Sequence, residues 1–233
     1  MTTTLMMKRT LLVVSLASPI AAWGQVGHTP RQSPYRDLEY RQELTFFGGQ
    51  YGASTDPARV APKTGVMAGA HWEYRLGGPA YLTARVAGLL TERREIDPRL
   101  EIEERFLRNK SMVAAFTDVG FALNLTGYKS WRGLIPTLGG GLGLAAGFDK
   151  RDVGGYSFGT PFLLALRPGL KFAANGKWQG RLDATNYFFR VRYPESYFIK
   201  TGADDPVLNP AAARNYWKRN LALTLGVTYA YGR

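Results

Sequence analysis

Asn220-Leu221-Ala222-Leu223-Thr224-Leu225-Gly226-Val227-Thr228-Tyr229-Ala230-Tyr231 is the stretch whose reading decides the fold. Its odd positions are leucine, valine and tyrosine; its even positions are asparagine, alanine, threonine and glycine. An extended chain points successive side chains to opposite faces, so the stretch is a β-strand with one apolar face. It is also long, since strands of soluble domains run to roughly 5–6 residues.

The same alternation recurs upstream. From Val66 the even positions read Val66, Ala68, Ala70, Trp72 and Tyr74, against Met67, Gly69, His71, Glu73 and Arg75. Eight segments read as strands, at 42–52, 64–75, 80–92, 112–126, 133–148, 158–173, 177–193 and 217–231, the first with an ambiguous outward face. Their connections alternate. Leu76–Pro79, Gly127–Arg132 and Ala174–Gly176 are short, whereas 53–63, 93–111, 149–157 and 194–216 are long and polar. Short turns at one end and long loops at the other are the pattern of transmembrane barrels, with the long loops outside the cell.

Aromatic residues gather in two bands. Trp72, Tyr74, Tyr81, Tyr128, Trp131, Phe172, Trp178, Tyr229 and Tyr231 lie near the short turns. Phe47, Tyr51, Phe116, Phe148, Phe158, Phe188, Phe189 and Trp217 lie near the long loops. Amphipathic rings favour membrane–water interfaces, so two girdles are expected. The competing fold is a soluble, calycin-like barrel around a ligand. The second strand face argues against it, because Gly139, Gly141, Gly143, Ala222, Thr224 and Gly226 are small rather than charged, as a narrow lumen requires. The expected fold is therefore all-β: an eight-stranded antiparallel up-and-down transmembrane β-barrel.

With the apolar face outward, Glu73, Arg85, Asp118, Asn124, Arg167, Lys171, Arg181 and Asp183 point inward. Charges in a narrow lumen must pair, because an isolated ion removed from water is costly. If Ala174-Asn175-Gly176 is a three-residue loop, Ala173 faces Lys177 and Arg167 stands directly opposite Asp183. The same counting sets Arg85 across from His71 and diagonal to Glu73, with Asp118 in reach from the next strand. These residues are expected to form a salt-bridge ladder that plugs the lumen, the alternative being an ion or small-solute pore.

The N-terminus sets the compartment. Lys8 and Arg9 precede the apolar run Leu11–Leu16, and Ala22-Trp23-Gly24 offers small residues for cleavage. That is a secretory signal peptide over 1–24, too short in its apolar part for a spanning helix of about 20 residues. A periplasmic segment over 25–41 and a barrel over 42–233 follow. The chain has no cysteine, and its two histidines, His28 and His71, lie far apart, so neither a disulfide nor a metal centre is expected. The net charge of +12 would suit nucleic acid in another compartment; in an exported chain it fits anionic lipid phosphate and plain solubility equally well.

No motif carries chemistry. Gly141-Leu142-Gly143-Leu144-Ala145-Ala146 has the spacing of a dinucleotide loop but lies inside a strand, where that motif has no helix to open. A lipid-modifying enzyme would need a base beside a nucleophile, and His71 has no serine in the expected register. No catalytic residue and no cofactor are expected. In 93–110 acids and bases roughly cancel, while Lys200, Arg214 and Lys218 near Tyr197, Phe198, Tyr216 and Trp217 suit contact with phosphate and sugar of the outer leaflet, including lipopolysaccharide.

Thr224-x-Gly226-x-x-Tyr229-x-Tyr231 resembles the β-signal that the outer-membrane assembly machinery reads on a last strand. Gly232 and Arg233 follow where that signal commonly ends on an aromatic residue. With this motif, the chain is similar to the small outer-membrane barrels of the OmpA and OmpX type. Unlike two-domain OmpA-type proteins it stops at its barrel, so the resemblance implies no peptidoglycan-binding domain. It implies a bacterial outer-membrane location and a role in surface structure, loop-mediated binding or membrane integrity.

Overall fold

A computed structural model describes residues 33–173, 176–200 and 204–232. The signal-peptide reading over 1–24 lies outside the described residues.

The alternating segments form the expected strands. After a short β1 (Tyr35–Asp37) come β2 (Gln42–Gly52), β3 (Gly65–Gly77), β4 (Ala80–Ile96) and β5 (Phe106–Asn124). A second short strand, β6 (Lys129–Trp131), precedes β7 (Leu134–Gly147), β8 (Phe162–Phe172), β9 (Trp178–Arg192) and β10 (Asn215–Tyr231). Each long strand pairs antiparallel with its neighbours in the order β2-β3-β4-β5-β7-β8-β9-β10, and β10 returns to β2 with Tyr231 opposite Gln42. The sheet is therefore a closed eight-stranded barrel, and closure leaves its long strands no free edge.

The faces divide as the sequence alternation requires. Phe46, Val119 and Leu225 are 65%, 63% and 68% exposed on the outside, whereas Thr45, Thr224 and Thr228 are buried within. From Leu221 to Tyr231 the outward set is Leu221, Leu223, Leu225, Val227, Tyr229 and Tyr231, with no charge among them. Water would penalise such a continuous apolar belt, and hydrocarbon accepts it. This is a membrane-spanning surface.

Close strand approach depends on glycine in β7. A Cβ on Gly143 would lie 1.7 Å from the backbone oxygen of Thr117, a collision that no rotamer change relieves. Gly48 on the outside of β2, by contrast, has no atom within 4 Å of such a carbon.

Two regions depart from the expected loops. The stretch 93–111 is mostly strand: β4 and β5 stay paired past the belt, with Arg93 opposite Lys110 and Ile96 opposite Phe106. The alternating charges there serve cross-strand pairing, as in the 2.8 Å bond from Arg108 Nε to Glu95 Oε2. At the other end, part of the segment before the barrel is bonded to it: β1 pairs with β6, and the Arg75 guanidinium donates to the Leu38 carbonyl at 2.8 Å. This strap crosses the short-turn end.

Gly143→Val should abolish the compact, heat-modifiable band on a semi-native gel of detergent-refolded protein, and Gly48→Ala should preserve it. A Gly143→Val band matching the unmodified protein would contradict the β5–β7 register.

Candidate functional site: the barrel lumen and the long-loop rim

In the half of the lumen nearer the short turns, four cations meet four carboxylates. Lys171 Nζ lies 2.7 Å from Glu43 Oε2 and 2.5 Å from Glu73 Oε2. Arg181 Nη1 reaches the same Glu73 oxygen at 2.6 Å, and its Nε donates to Asp183 at 2.8 and 3.0 Å. Arg85 Nη1 stands 3.6 Å from Asp183, and Arg167 Nη2 donates to both Asp118 oxygens at 2.9 and 3.0 Å. All eight side chains are almost wholly buried. The set is electrically balanced, as a low-dielectric interior demands.

Glu43 belongs to this network although the sequence reading left it out. Its parity with Thr45 and Phe47, both inward, would have found it once the ambiguous first strand was given a direction.

The expected Arg167–Asp183 pairing is not what forms. The register sets Gly169 opposite Asp183 and Lys171 opposite Arg181, a shift of two residues. The strand ends bond elsewhere: the Ala173 amide donates to the Gly133 carbonyl, and the Lys177 carbonyl accepts from Ala230. Ala174 and Asn175 of the expected three-residue loop lie outside the described residues. Gly169 then becomes necessary, because a Cβ there would lie 2.3 Å from Asp183 Oδ1. Arg167 crosses the lumen to Asp118 instead. Arg85 does face His71 on β3 and Asp118 on β5, yet its ionic partner is Asp183.

The other half of the lumen is aromatic. Phe47, Tyr51, Phe116, Tyr187 and Phe189 are buried, with ring centroids 5.8 Å apart for Tyr51–Phe116 and 5.2 Å for Phe116–Tyr187. Phe47, Tyr51, Phe116, Phe158 and Phe189 were expected in the outer girdle and instead point inward. Their parity decides it: Phe189 shares a face with Arg181 and Asp183, not with Leu182. Tyr81 likewise faces inward, with Lys171 Nζ 4.8 Å from its ring centre. The girdles that remain outside include Trp178 beside Tyr229 (5.0 Å) and Tyr229 stacked on Tyr231 (6.1 Å) near the short turns, and Phe148 and Trp217 near the long loops. Arg85, 3.8 Å over the Phe47 ring, marks the junction of the charged and aromatic zones.

The long loops close over the aromatic zone. Val60, Ala61, Tyr156, Tyr193, Tyr197, Phe198 and Leu208 are buried there. Arg93 is clamped by Asp149 and Asp152, the first at 2.6 Å. The Asp56 carboxylate accepts from the Val60 and Ala61 amides and from the Tyr193 hydroxyl at 3.0 Å. Burial raises the phenols of Tyr156, Tyr193 and Tyr197 above the ordinary tyrosine value, so they stay neutral.

The basic cluster expected for the outer leaflet is rearranged. Arg214 is held by Glu195, Lys218 turns inward to the Pro62 carbonyl, and Tyr197 and Phe198 are buried. The outward cations at this level are Arg190, over the Trp217 ring at 5.8 Å, with Arg192 and Arg219, which the alternation of β9 and β10 also marks.

His71 has no hydrogen-bond partner on either ring nitrogen among the described residues, a hydroxyl included; the Glu73 carboxylate lies 3.9 Å away. Of the assembly motif, Thr224 points into the lumen, while Tyr229 and Tyr231 contribute to the outer ring.

No protein-family model matches the sequence, and no curated protein sequence matches it either. Solved structures do match. The chain superimposes on neisserial surface protein A with a TM-score of 0.50 at 14% identity, covering 82% of this chain and 97% of that one. The protein has the fold of the small outer-membrane β-barrels. The Pseudomonas aeruginosa outer-membrane protein OprG aligns over 83% of this chain and 98% of its own at 10% identity and a TM-score of 0.49. The Yersinia pestis attachment invasion locus protein Ail aligns over 83% and 100% at 15% identity and 0.42.

Within this outer-membrane barrel, Glu73 is the shared acceptor of the charged zone. Glu73→Gln should remove the carboxylate that Lys171 and Arg181 share, leaving them only Glu43 and Asp183 and the buried network one positive charge in excess, and cost about 3–5 kcal/mol of stability. Glu43→Gln should cost less, since Lys171 keeps Glu73. Urea titration of the heat-modifiable fraction measures both, and equal small losses would show that the network is not cooperative.

Proposed function

We propose that the protein is a plugged surface barrel of the bacterial outer membrane that offers its long loops as an ordered binding platform on the cell exterior. The observation that carries this reading is the filled lumen. A charge-balanced network occupies one half and packed aromatic rings the other, with the Asp56 and Arg93 clusters above them. An eight-stranded barrel holds little more than its own side chains, and here those chains bond to one another.

The outward arginines support a membrane partner. Arg190, Arg192 and Arg219 stand above the apolar belt beside Trp217 and have no carboxylate within ion-pair distance among the described residues. Guanidinium groups at that level suit the phosphates of outer-leaflet lipids, lipopolysaccharide included. The terminal motif on β10 supports recognition by the outer-membrane assembly machinery. No nucleophile–base pair supports catalysis at His71.

In planar bilayers the purified protein should give no stable current steps. A reproducible step of constant size would replace the plug with a pore.

A further inference from the structure

At the long-loop end, beside the first loop and the start of β10, lies a cavity of about 690 Å³. Its charged lining is one-sided: Arg59, Lys63, Arg94 and Lys218 face it against the single carboxylate of Asp56. That carboxylate is already engaged, as both oxygens accept from the Val60 and Ala61 amides and the Tyr193 hydroxyl.

Lys218 is the informative residue. Its side chain is buried, 2% exposed, and its ammonium has one hydrogen-bond acceptor, the Pro62 carbonyl at 2.7 Å. An ammonium carries three N–H donors, and a buried cation is costly without a counter-charge. Every other buried lysine or arginine in the lumen and dome has a carboxylate within ion-pair distance; Lys218 has none among the described residues. The rim cations are also under-used. Lys63 Nζ has only the neutral Asn109 Oδ1 at 2.7 Å, Arg94 lies flat over Phe106 at 4.6 Å, and the exposed Arg59 side chain bonds to nothing described. Arg59 also holds a left-handed backbone, φ 57°, which non-glycine residues adopt sparingly and which recurs at ligand sites.

We propose that this cavity binds a phosphorylated, sugar-sized ligand, its phosphoryl group held between Lys218 and the rim cations Arg59, Lys63 and Arg94. Four cations against the one carboxylate of Asp56 leave three positive charges in excess, more than a ligand carboxylate would neutralise, whereas a phosphate monoester carries close to two negative charges and three acceptor oxygens. The volume lies within the range of small-molecule sites. The proposal rests on the reading that the long loops face outside, and it names the chemistry those loops would recognise.

Calorimetric titration of the detergent-refolded protein at low ionic strength tests it, with glucose 6-phosphate, inorganic phosphate and glucose as probes. Glucose 6-phosphate should bind and weaken as salt rises, and glucose should give no heat. Equal affinity for inorganic phosphate would assign the site to the free anion; tighter binding of the sugar phosphate would assign it to the phosphorylated sugar. Lys218→Met should weaken phosphate binding by about tenfold or more. If that variant fails to give the heat-modifiable band, the half-buried pair Lys63→Gln/Arg94→Gln decides instead, with a comparable loss expected. Absence of heat from both phosphates, or unchanged affinity in the folded variants, would overturn the proposal. Plugging is read separately by conductance, so either reading can fail alone.

Discussion

Glu73 sits at the centre of the barrel's short-turn half, where one of its oxygens meets both Lys171 and Arg181. Eight strands enclose a lumen too narrow for bulk water, so each charge placed there must be neutralised by another side chain. The network meets that constraint with four cations and four carboxylates drawn from β2, β3, β4, β5, β8 and β9. Six of the eight barrel strands are thereby tied from inside, in addition to their backbone ladders. The small residues of β7 and β10 leave the space that these long side chains occupy.

Above that layer the lumen changes character without changing strand geometry. Rings on β2, β5 and β9 replace charges, and Arg85 bridges the two zones by its contact with Phe47. The aromatic zone then continues into the loops through Phe158, whose ring meets Phe189 edge-on at 5.4 Å. This continuity packs loop residues such as Tyr156 and Tyr197 onto the lumen. Asp56 gathers the first loop against Tyr193, and Asp149 and Asp152 gather the third against Arg93.

At the opposite end, β1 and the Arg75 bond to Leu38 lay the N-terminal segment across the opening. The N-terminal segment thus lies over the charged half of the lumen. Lys218 stands out because the other buried lysines and arginines among the described residues each have a carboxylate within ion-pair distance.

The barrel, its strand count and its inward charges were legible in the sequence, since alternation with period two is a local property that every strand shows for itself. Bounds such as Gln42–Gly52 could be read without any neighbour. Which charges meet was not legible. A two-residue shift between β8 and β9 moved Asp183 away from Arg167, leaving it to Arg181 on its own strand and to Arg85. Proximity to the long loops also misplaced Phe116 and Phe189 in the girdle, because position along a strand does not tell which way a ring points. The sequence by itself determined that a closed, membrane-facing barrel forms, because burial pattern is written residue by residue. Only the tertiary structure decided the partners inside it, because cross-lumen contacts depend on the register of all eight strands together.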